Sequence, residues 1–515
     1  MKKNKILAVI CSALAVFSAV SLPLASTGTL KVEAATYTYT SGDFDYKALD
    51  DGTVFLSGYH GSDTSLQIPS TLDGKKVTQI GSLCFLQCKD IKYVTIPEGV
   101  TSIGHEAFGR CENLVSVTLP DSLTSIGDYA FNYCEKLQSI TLPDRLTSIG
   151  DSAFNDCISL SSITIPGSVK SIGRSAFAYC EKLKSVTLEN GIKTIGKKAF
   201  MFCNSLQSLI IPASVEEIGD DMVLYCDMMK SISVDSKNKN YSSQDGVLFN
   251  KTKTELITYP CNKNNTSYSI PSSVKTIKSL AFYQCNNLSS LTIPIGVVEI
   301  EESAFYNSDG IKSIKIPYTV TSIGDYAFNY CDNMKSIDVD STNKNYSSKD
   351  GVLFNKTKTV LIQYPCGKES SGYTVPDSVD TIKEYAFHGS TIDSVTVPAG
   401  VTTIEEDAFN IYYLSVIYGY KNTAAEKYAK EYGIKFVALG ASGALTGDVN
   451  GDNEISINDA TLIQKGIAGS VEFTTEQKAV ADANGDGEVN VSDVTVIQKF
   501  AAGLIETIYN RFKRV

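Results

Sequence analysis

The chain has 515 residues, with 46 basic against 57 acidic side chains, a formal net charge of −11, three histidines and no tryptophan. That surplus of acid argues against nucleic acid, whose phosphates need a concentrated basic surface. His60, His105 and His388 stand in unrelated contexts, so a histidine-based metal or nucleophile site has little to draw on.

At the N-terminus Lys2, Lys3 and Lys5 precede an apolar run from Ile6 to Val20, and Val32-Glu33-Ala34 offers small residues suited to cleavage. Residues 1–34 read as a secretory signal peptide, with the mature chain beginning near Ala35. An uncleaved anchor is the alternative, set back by the shortness of the run. Cys11 follows Ile10 inside the hydrophobic run, where a lipoprotein would place a small residue. No later stretch is long and apolar enough to cross a membrane. In residues 35–80, Asp43 to Tyr46 and Thr53 to Leu56 alternate about an Asp51-Gly52 turn. They are expected to form a hairpin cap over the first coil's open edge.

From Gly81 to Cys226 one motif returns every 23 residues: Gly127, Phe131 and Cys134 recur as Gly150, Phe154 and Cys157, and then as Gly173, Phe177 and Cys180. A strict period of this length, built on spaced Leu and Ile, predicts a solenoid of stacked coils. Within one unit Ile140 and Leu142 alternate with Ser139 and Thr141, a short strand with two side chains inward, and Pro143 ends it. Leu146 and Ile149 continue the core across a second extended piece, and Gly150 supplies a corner. Ala153, Phe154 and Cys157 are spaced for the inner face of about one helical turn.

After Cys226 the beat breaks, and the break itself recurs 105 residues on. Asp245-Gly246-Val247-Leu248-Phe249-Asn250 becomes Asp350-Gly351-Val352-Leu353-Phe354-Asn355, and each copy leads to Tyr-Pro-Cys at Cys261 or Cys366. These predict antiparallel hairpins inserted near 235–262 and 340–367 of a solenoid spanning 81–437. Ser308 and Ser390 take the cysteine's place in later units. Lys278, Glu301, Lys383 and Glu405 take the corner glycine's.

Twelve cysteines survive signal cleavage, and an oxidising compartment favours bridges. Seven consecutive equivalent cysteines pointing inward in parallel cannot all pair, so a ladder of buried free thiols is expected. Cys84 beside Cys88, and Cys261 and Cys366, are the candidates for exception.

Units of the form Leu-x-x-Ile-x-Leu-Pro-x-x-Leu-x-x-Ile-Gly-x-x-Ala-Phe-x-x-Cys, with Asp-Gly-Val-Leu-Phe-Asn inserts, resemble the BspA-type leucine-rich repeats of bacterial surface proteins over roughly residues 43 to 437. The resemblance implies a β-rich leucine-rich-repeat solenoid with a non-catalytic, adhesin-like binding surface. Ile417 to Tyr420, the helix-forming Thr423 to Tyr432 and Ile434 to Val437 resemble that family's closing cap.

Residues 438–446 are small and without periodicity, a linker. Beyond it, Asp448, Asn450, Asp452, Ser456 and Asp459 place oxygens at loop positions 1, 3, 5, 9 and 12, and Asp482, Asn484, Asp486, Asn490 and Asp493 repeat them 34 residues later. Such a loop, with a backbone carbonyl at position 7, can wrap a cation of calcium size. Gly487 gives the second loop its sharp turn, and Asn453 serves in the first. Position 12 is Asp where an EF-hand has Glu, and no long helix precedes the first loop.

Each loop runs into a helical stretch ending Ile463-Gln464-Lys465 or Ile497-Gln498-Lys499. This duplicated loop-then-helix unit over 447–505, followed by a tail at 506–515, resembles a type I dockerin, a small all-α module. The resemblance implies two Ca2+ ions held by those ten side chains, with carbonyls from Glu454 and Glu488. It also implies a cohesin partner on a scaffoldin of a cellulosome-like complex. The cohesin-facing positions would be Ile457, Asn458, Gln464 and Lys465, and Val491, Ser492, Gln498 and Lys499.

Taken together these features predict a secreted, non-enzymatic component that docks through calcium and displays the repeat surface to protein or cell-surface ligands. The alternative is a carbohydrate-binding module for plant polysaccharide, with Tyr133, Tyr179, Phe202, Tyr225 and Tyr330 lining a surface or merely covering the coil's edge. An enzyme would need paired, sheltered acids, whereas Asp128, Asp151 and Glu301 fall at outward repeat positions.

Overall fold

A computed structural model describes residues 37–439, 446–452, 454–505 and 508. The stretch expected to be a signal peptide, residues 35 and 36, most of the expected linker, Asn453 and nearly all of the tail lie outside the described residues. Each coil contributes two short strands: those of the second extended piece pair in parallel with their equivalents in the coils on either side, whereas those of the first piece pair in shorter groups of two to four. Ser162–Ile165 pairs in register with Ser185–Leu188, burying Ile163 and Ile165. In the second extended piece, Ser171–Ile172 pairs with Ser148–Ile149 on one side and Thr194–Ile195 on the other.

The corner glycine is required by proximity. A Cβ on Gly173 would sit 2.3 Å from the carbonyl carbon of Gly150, backbone against backbone. The segment that follows is a pair of tight turns rather than a regular helix. Ala176 and Ala178 donate to the carbonyls of Gly173 and Ser175 at 3.3 and 3.0 Å, but Ser175 and Tyr179 are left-handed, with φ of 53° and 60°. Reversing those two residues points alternate N–H groups along the stack. Ser175, Phe177 and Tyr179 donate to Lys197, Ala199 and Met201 of the next coil at 2.9, 2.8 and 2.8 Å. Each non-glycine left-handed residue costs about 1–2 kcal/mol. The inter-coil bonds it makes possible, about 1 kcal/mol each, offset that.

The turns bury a file of phenylalanines. Rings from Phe85 through Phe200 stack with centroids 4.8 to 5.6 Å apart and planes within 10°. Beside it runs the thiol ladder. All twelve described cysteines are free, Cys84, Cys88, Cys261 and Cys366 included. From Cys111 to Cys226 each ladder thiol donates to the carbonyl of the phenylalanine in the preceding coil, as Cys134 does to Phe108 at 3.2 Å and Cys157 to Phe131 at 3.3 Å. Ser308 donates in the same way to Phe282, which explains why serine can replace cysteine there. The corner positions without glycine are chemically paired: Lys278 meets Glu301 of the next coil at 2.6 Å, and Lys383 meets Glu405 at 3.6 Å.

Both inserts are three-stranded meanders, one strand more than the expected hairpins. Tyr241–Gln244, Val247–Asn250 and Glu255–Thr258 pair antiparallel in sequence, and the last strand rejoins the stack by parallel pairing with Thr276–Ile277. Tyr346–Lys349, Val352–Asn355 and Val360–Gln363 repeat this. After each meander a tyrosine takes the phenylalanine's place in the file, Tyr259 on Phe282 and Tyr364 on Phe387, both at 5.2 Å. The central strand divides the interior. Leu248 packs into the core behind it, while Val247 and Phe249 pack into the core ahead. Leu353 and the pair Val352 and Phe354 do the same at the second insert.

The ends are closed as the alternation and turn residues predict. Phe44–Ala48 and Val54–Tyr59 form an antiparallel pair about Gly52, and Val54–Tyr59 then seeds the parallel ladder by pairing with Lys75–Ile80. At the other end helix α1 (Ala424–Tyr432) stops at left-handed Gly433, and Lys435–Ala438 pairs with Val416–Gly419 over it.

Candidate functional site

The described residues beyond the linker contain three helices: α2 (Ile457–Ile467), α3 (Thr475–Ala481) and α4 (Val491–Ala501). Helices α2 and α4 pack across a small core of Val449, Ala460, Ile463, Val480, Ala481, Ala483, Val494 and Ile497. Eight buried side chains are a thin core for independent stability. Helix α3 was not foreseen, although Thr474 and Gln477 form a capping box at its start, a readable signal.

Each acidic loop ends at the N-cap of its helix, and the same residues shape both. Ser456 caps α2 with Asp459 reaching back, and Asn490 caps α4 with Asp493 reaching back. Asp459 accepts from Val449 and Asn450 N–H at 2.8 and 3.0 Å on one oxygen and from Ser456 N–H at 2.9 Å on the other. Asp493 accepts from Asn484 at 3.0 Å and Asn490 at 2.9 Å. The last carboxylate of each loop is thus tied to its beginning. At position 1, Asp448 accepts from Gly451 at 2.8 Å, and Asp482 accepts from Gly485 and Gly487 at 2.8 and 3.0 Å. Asn450 bonds Asp452 and Asn484 bonds Asp486, each at 2.8 Å. Asp452 and Asp486 accept from the N–H of Glu454 and Glu488 at 2.9 Å, and that last bond to Asp486 is the largest influence holding its carboxyl below the ordinary range.

Asp448, Asp459, Asp482 and Asp493 are all buried, two per loop. No ion pair among the described residues reaches Asp459, Asp482 or Asp493, and burying unneutralised carboxylates is costly. Among the described residues no three His, Cys, Asp or Glu side chains form a ready cluster for a metal. The side chains at the loop positions are oxygen donors, two buried Asp per loop with further Asp, Asn and Ser, and that donor chemistry suits a hard cation. The eight outer positions named above, Ile457, Asn458, Gln464 and Lys465 on α2 and Val491, Ser492, Gln498 and Lys499 on α4, are all exposed. Ile457 is 55 % and Val491 64 % exposed, equivalent apolar residues left uncovered on the two helices.

On the repeat region the aromatics before the cysteines pack against one another. Tyr179 stacks on Phe202 at 4.5 Å and Phe202 on Tyr225 at 4.1 Å. Tyr133 stands apart, 39 % exposed beneath the Arg110 guanidinium.

The family described as the BspA type Leucine rich repeat region (6 copies) matches four overlapping segments, residues 62–180, 147–268, 258–373 and 366–418. The Dockerin type I domain matches residues 446–500. No curated protein matches the chain. Among solved structures it is similar to a leucine rich cell surface protein from Faecalibacterium prausnitzii, at 28% identity and a TM-score of 0.56, over 77% of this chain and 98% of that one. The pneumococcal vaccine antigen PcpA shares the fold at 20% identity and a TM-score of 0.50, over 79% and 99% of the two chains. A leucine-rich repeat protein from Bacteroides ovatus is 25% identical over 78% of this chain and 100% of that one, with a TM-score of 0.49. Both matched families are non-catalytic, type I dockerins generally bind calcium, and proteins built from them are typically extracellular. No described helix is long and apolar enough to span a membrane.

Proposed function

We propose a function from one premise: the chain belongs to the BspA type leucine rich repeat family and carries a type I dockerin domain at its C-terminal end. It acts as a secreted, non-enzymatic component of a cellulosome-type complex. The dockerin, residues 447–505, holds two calcium ions and binds a cohesin on a scaffoldin. The solenoid, residues 81–437 behind its cap, is thereby displayed for protein or cell-surface contact.

The observation that carries this reading is the duplicated loop whose last aspartate is both helix cap and loop clasp. Asp448, Asn450, Asp452, Ser456 and Asp459, and Asp482, Asn484, Asp486, Asn490 and Asp493, are the calcium-holding side chains, with carbonyls of Glu454 and Glu488. Calcium supplies the positive charge that neutralises the buried carboxylates. The chain's own part is to fix α2 and α4 by their N-caps, so that Ile457 and Val491 are presented outward with Asn458, Gln464, Lys465, Ser492, Gln498 and Lys499 around them. Glycan binding by the repeat region has less support, because Tyr179, Phe202 and Tyr225 stack on one another rather than leaving a row of free faces. A cohesin pull-down with the full chain, with and without chelator, tests the reading. Capture is expected in calcium and loss of capture with chelator or in the Asp459→Asn/Asp493→Asn double variant. Capture that survives chelation refutes it.

A further inference from the structure

Where the first meander interrupts the stack, the coil around Met222 and the coil around Phe282 do not close on each other, and a cavity of about 360 Å³ remains between them. Its floor is apolar, with Met222, Leu248 and Ile257, and Tyr225 and Tyr283 form a wall, their rings edge to face at 4.9 Å. Its rim carries Lys197, Asp220, Asp221, Lys278 and Glu301. A pocket of this size with an apolar floor and a few convergent polar groups has the form of a ligand site.

The rim charges are unequally satisfied. Glu301 is fully engaged, with Lys278 Nζ at 2.6 Å on one oxygen and the Ser279 N–H at 2.9 Å on the other. Asp221 is different. Its side chain is only 15 % exposed, and its carboxylate accepts no hydrogen bond among the described residues. Lys197 stands 3.8 Å away, shared with Asp220 at 3.7 Å, and Lys198 acts on it through space. One sheltered carboxylate thus has ammoniums nearby but no hydrogen-bond donor, above a floor that takes aliphatic carbon.

The second seam serves as an internal comparison. At the positions 105 residues on, Tyr326 replaces Asp221, Tyr385 replaces Leu280 and His388 replaces Tyr283. There Tyr326 meets Tyr385 at 5.1 Å, and His388 meets Tyr385 and Tyr330 at 5.0 and 4.8 Å, aromatic side chains packed where the first seam is open. The fold thus accepts a filled seam, so the opening at the first is a property of its side chains. Tyr225 is already stacked on Phe202 and Tyr283 lies parallel to Tyr306 at 6.1 Å, so both wall rings are engaged with neighbouring aromatics.

We propose that the first seam binds a single ammonium carried on an aliphatic stem, with the charge at Asp221 and the stem on the apolar floor. A lysine side chain of a partner protein and a free alkyl diamine share this chemistry. The site deepens the display-surface half of the proposed function and is independent of cohesin capture, which the dockerin performs. Calorimetric titration of the full chain with Nα-acetyl-lysine N-methylamide and with cadaverine tests it, the two arms separating peptide from free amine as the source. At least one should bind, and the uncharged Nα-acetyl-norleucine N-methylamide should bind at least tenfold more weakly. Asp221→Asn should weaken the binding tenfold or more, as should the Asp221→Tyr/Leu280→Tyr pair that copies the second seam. The exposed Asp338→Asn should leave it unchanged, and circular dichroism confirms that each variant is folded. A smaller loss in Asp221→Asn, equal binding of the norleucine analogue, or binding of neither amine at millimolar concentration overturns the proposal, whatever the cohesin pull-down shows.

Discussion

Leu353 and Phe354 are adjacent, both are fully buried, and they belong to different cores. Truncating each should therefore loosen a different part of the solenoid. Leu353→Ala removes a buried aliphatic group from the core that ends at residue 353, at a cost of about 2–5 kcal/mol. Phe354→Ala removes a ring from the core that begins at residue 352, at about 3–5 kcal/mol. A loss of about 3 kcal/mol corresponds to roughly 150-fold faster amide exchange through local opening. Hydrogen exchange read by mass spectrometry would resolve the two sides, using Ser313–Ile316 to report on one core and Ser394–Thr396 on the other. The leucine variant should accelerate exchange in the first segment and spare the second, and the phenylalanine variant should do the reverse. Equal acceleration of both segments by either variant would show that the strand does not partition the interior.

Other outcomes follow from the same packing. Gly173→Ala forces a Cβ to 2.3 Å from a backbone carbon and should cost about 1–3 kcal/mol or more in urea unfolding, whereas Gly433→Ala, with open space around it, loses only the left-handed preference of about 1 kcal/mol. Ser308→Ala leaves the buried carbonyl of Phe282 without its donor and should cost about 1–3 kcal/mol, while Ser308→Cys, which restores the ladder's own donor, should be close to neutral; equal effects would refute the donor role. Burial pushes the Cys111, Cys261 and Cys366 thiols up to about 12, so each stays protonated in the fold while it ionises in the unfolded chain. Their contribution is complete below the unfolded value near 9 and is lost as pH rises from there toward 12, at about 1.4 kcal/mol per pH unit for each thiol. The urea midpoint should fall between pH 8 and pH 10.5, and a flat midpoint contradicts the buried-thiol ladder. Alkylation of the native protein should reach half-buried Cys88 before Cys134.

Much of this was legible because the repeats are local. Gly150, Phe154 and Cys157 each meet their own equivalents one coil away, so the 23-residue spacing alone assigns their neighbours. The acidic loops were legible for the same reason, since cap and clasp lie within twelve residues. What escaped depends on the chain departing from that neighbour rule. Tyr259 and Tyr364 enter the ring file only because the meander returns its last strand to the ladder, which no spacing announces. Asn238 is buried because its amide donates to the carbonyls of Pro212 and Val215 in the coil before, and Asn343 does the same with Pro317 and Val320. The spacing of Ala153, Phe154 and Cys157 predicts a helical turn in each unit, and nothing in the side chains of Ser175 and Tyr179 demands the positive φ they adopt. The demand comes from the carbonyls of the next coil.

The Val-Leu-Phe strands carry an implication for how such a chain changes length. A bulkhead that seals the compartment on either side of it lets a whole block be gained or lost at that joint without breaching the hull. The 105-residue echo between the two meanders is what tandem copying of one such block would leave behind, and a graft joining Asp245 to residue 351 should therefore yield a shorter molecule that still folds watertight.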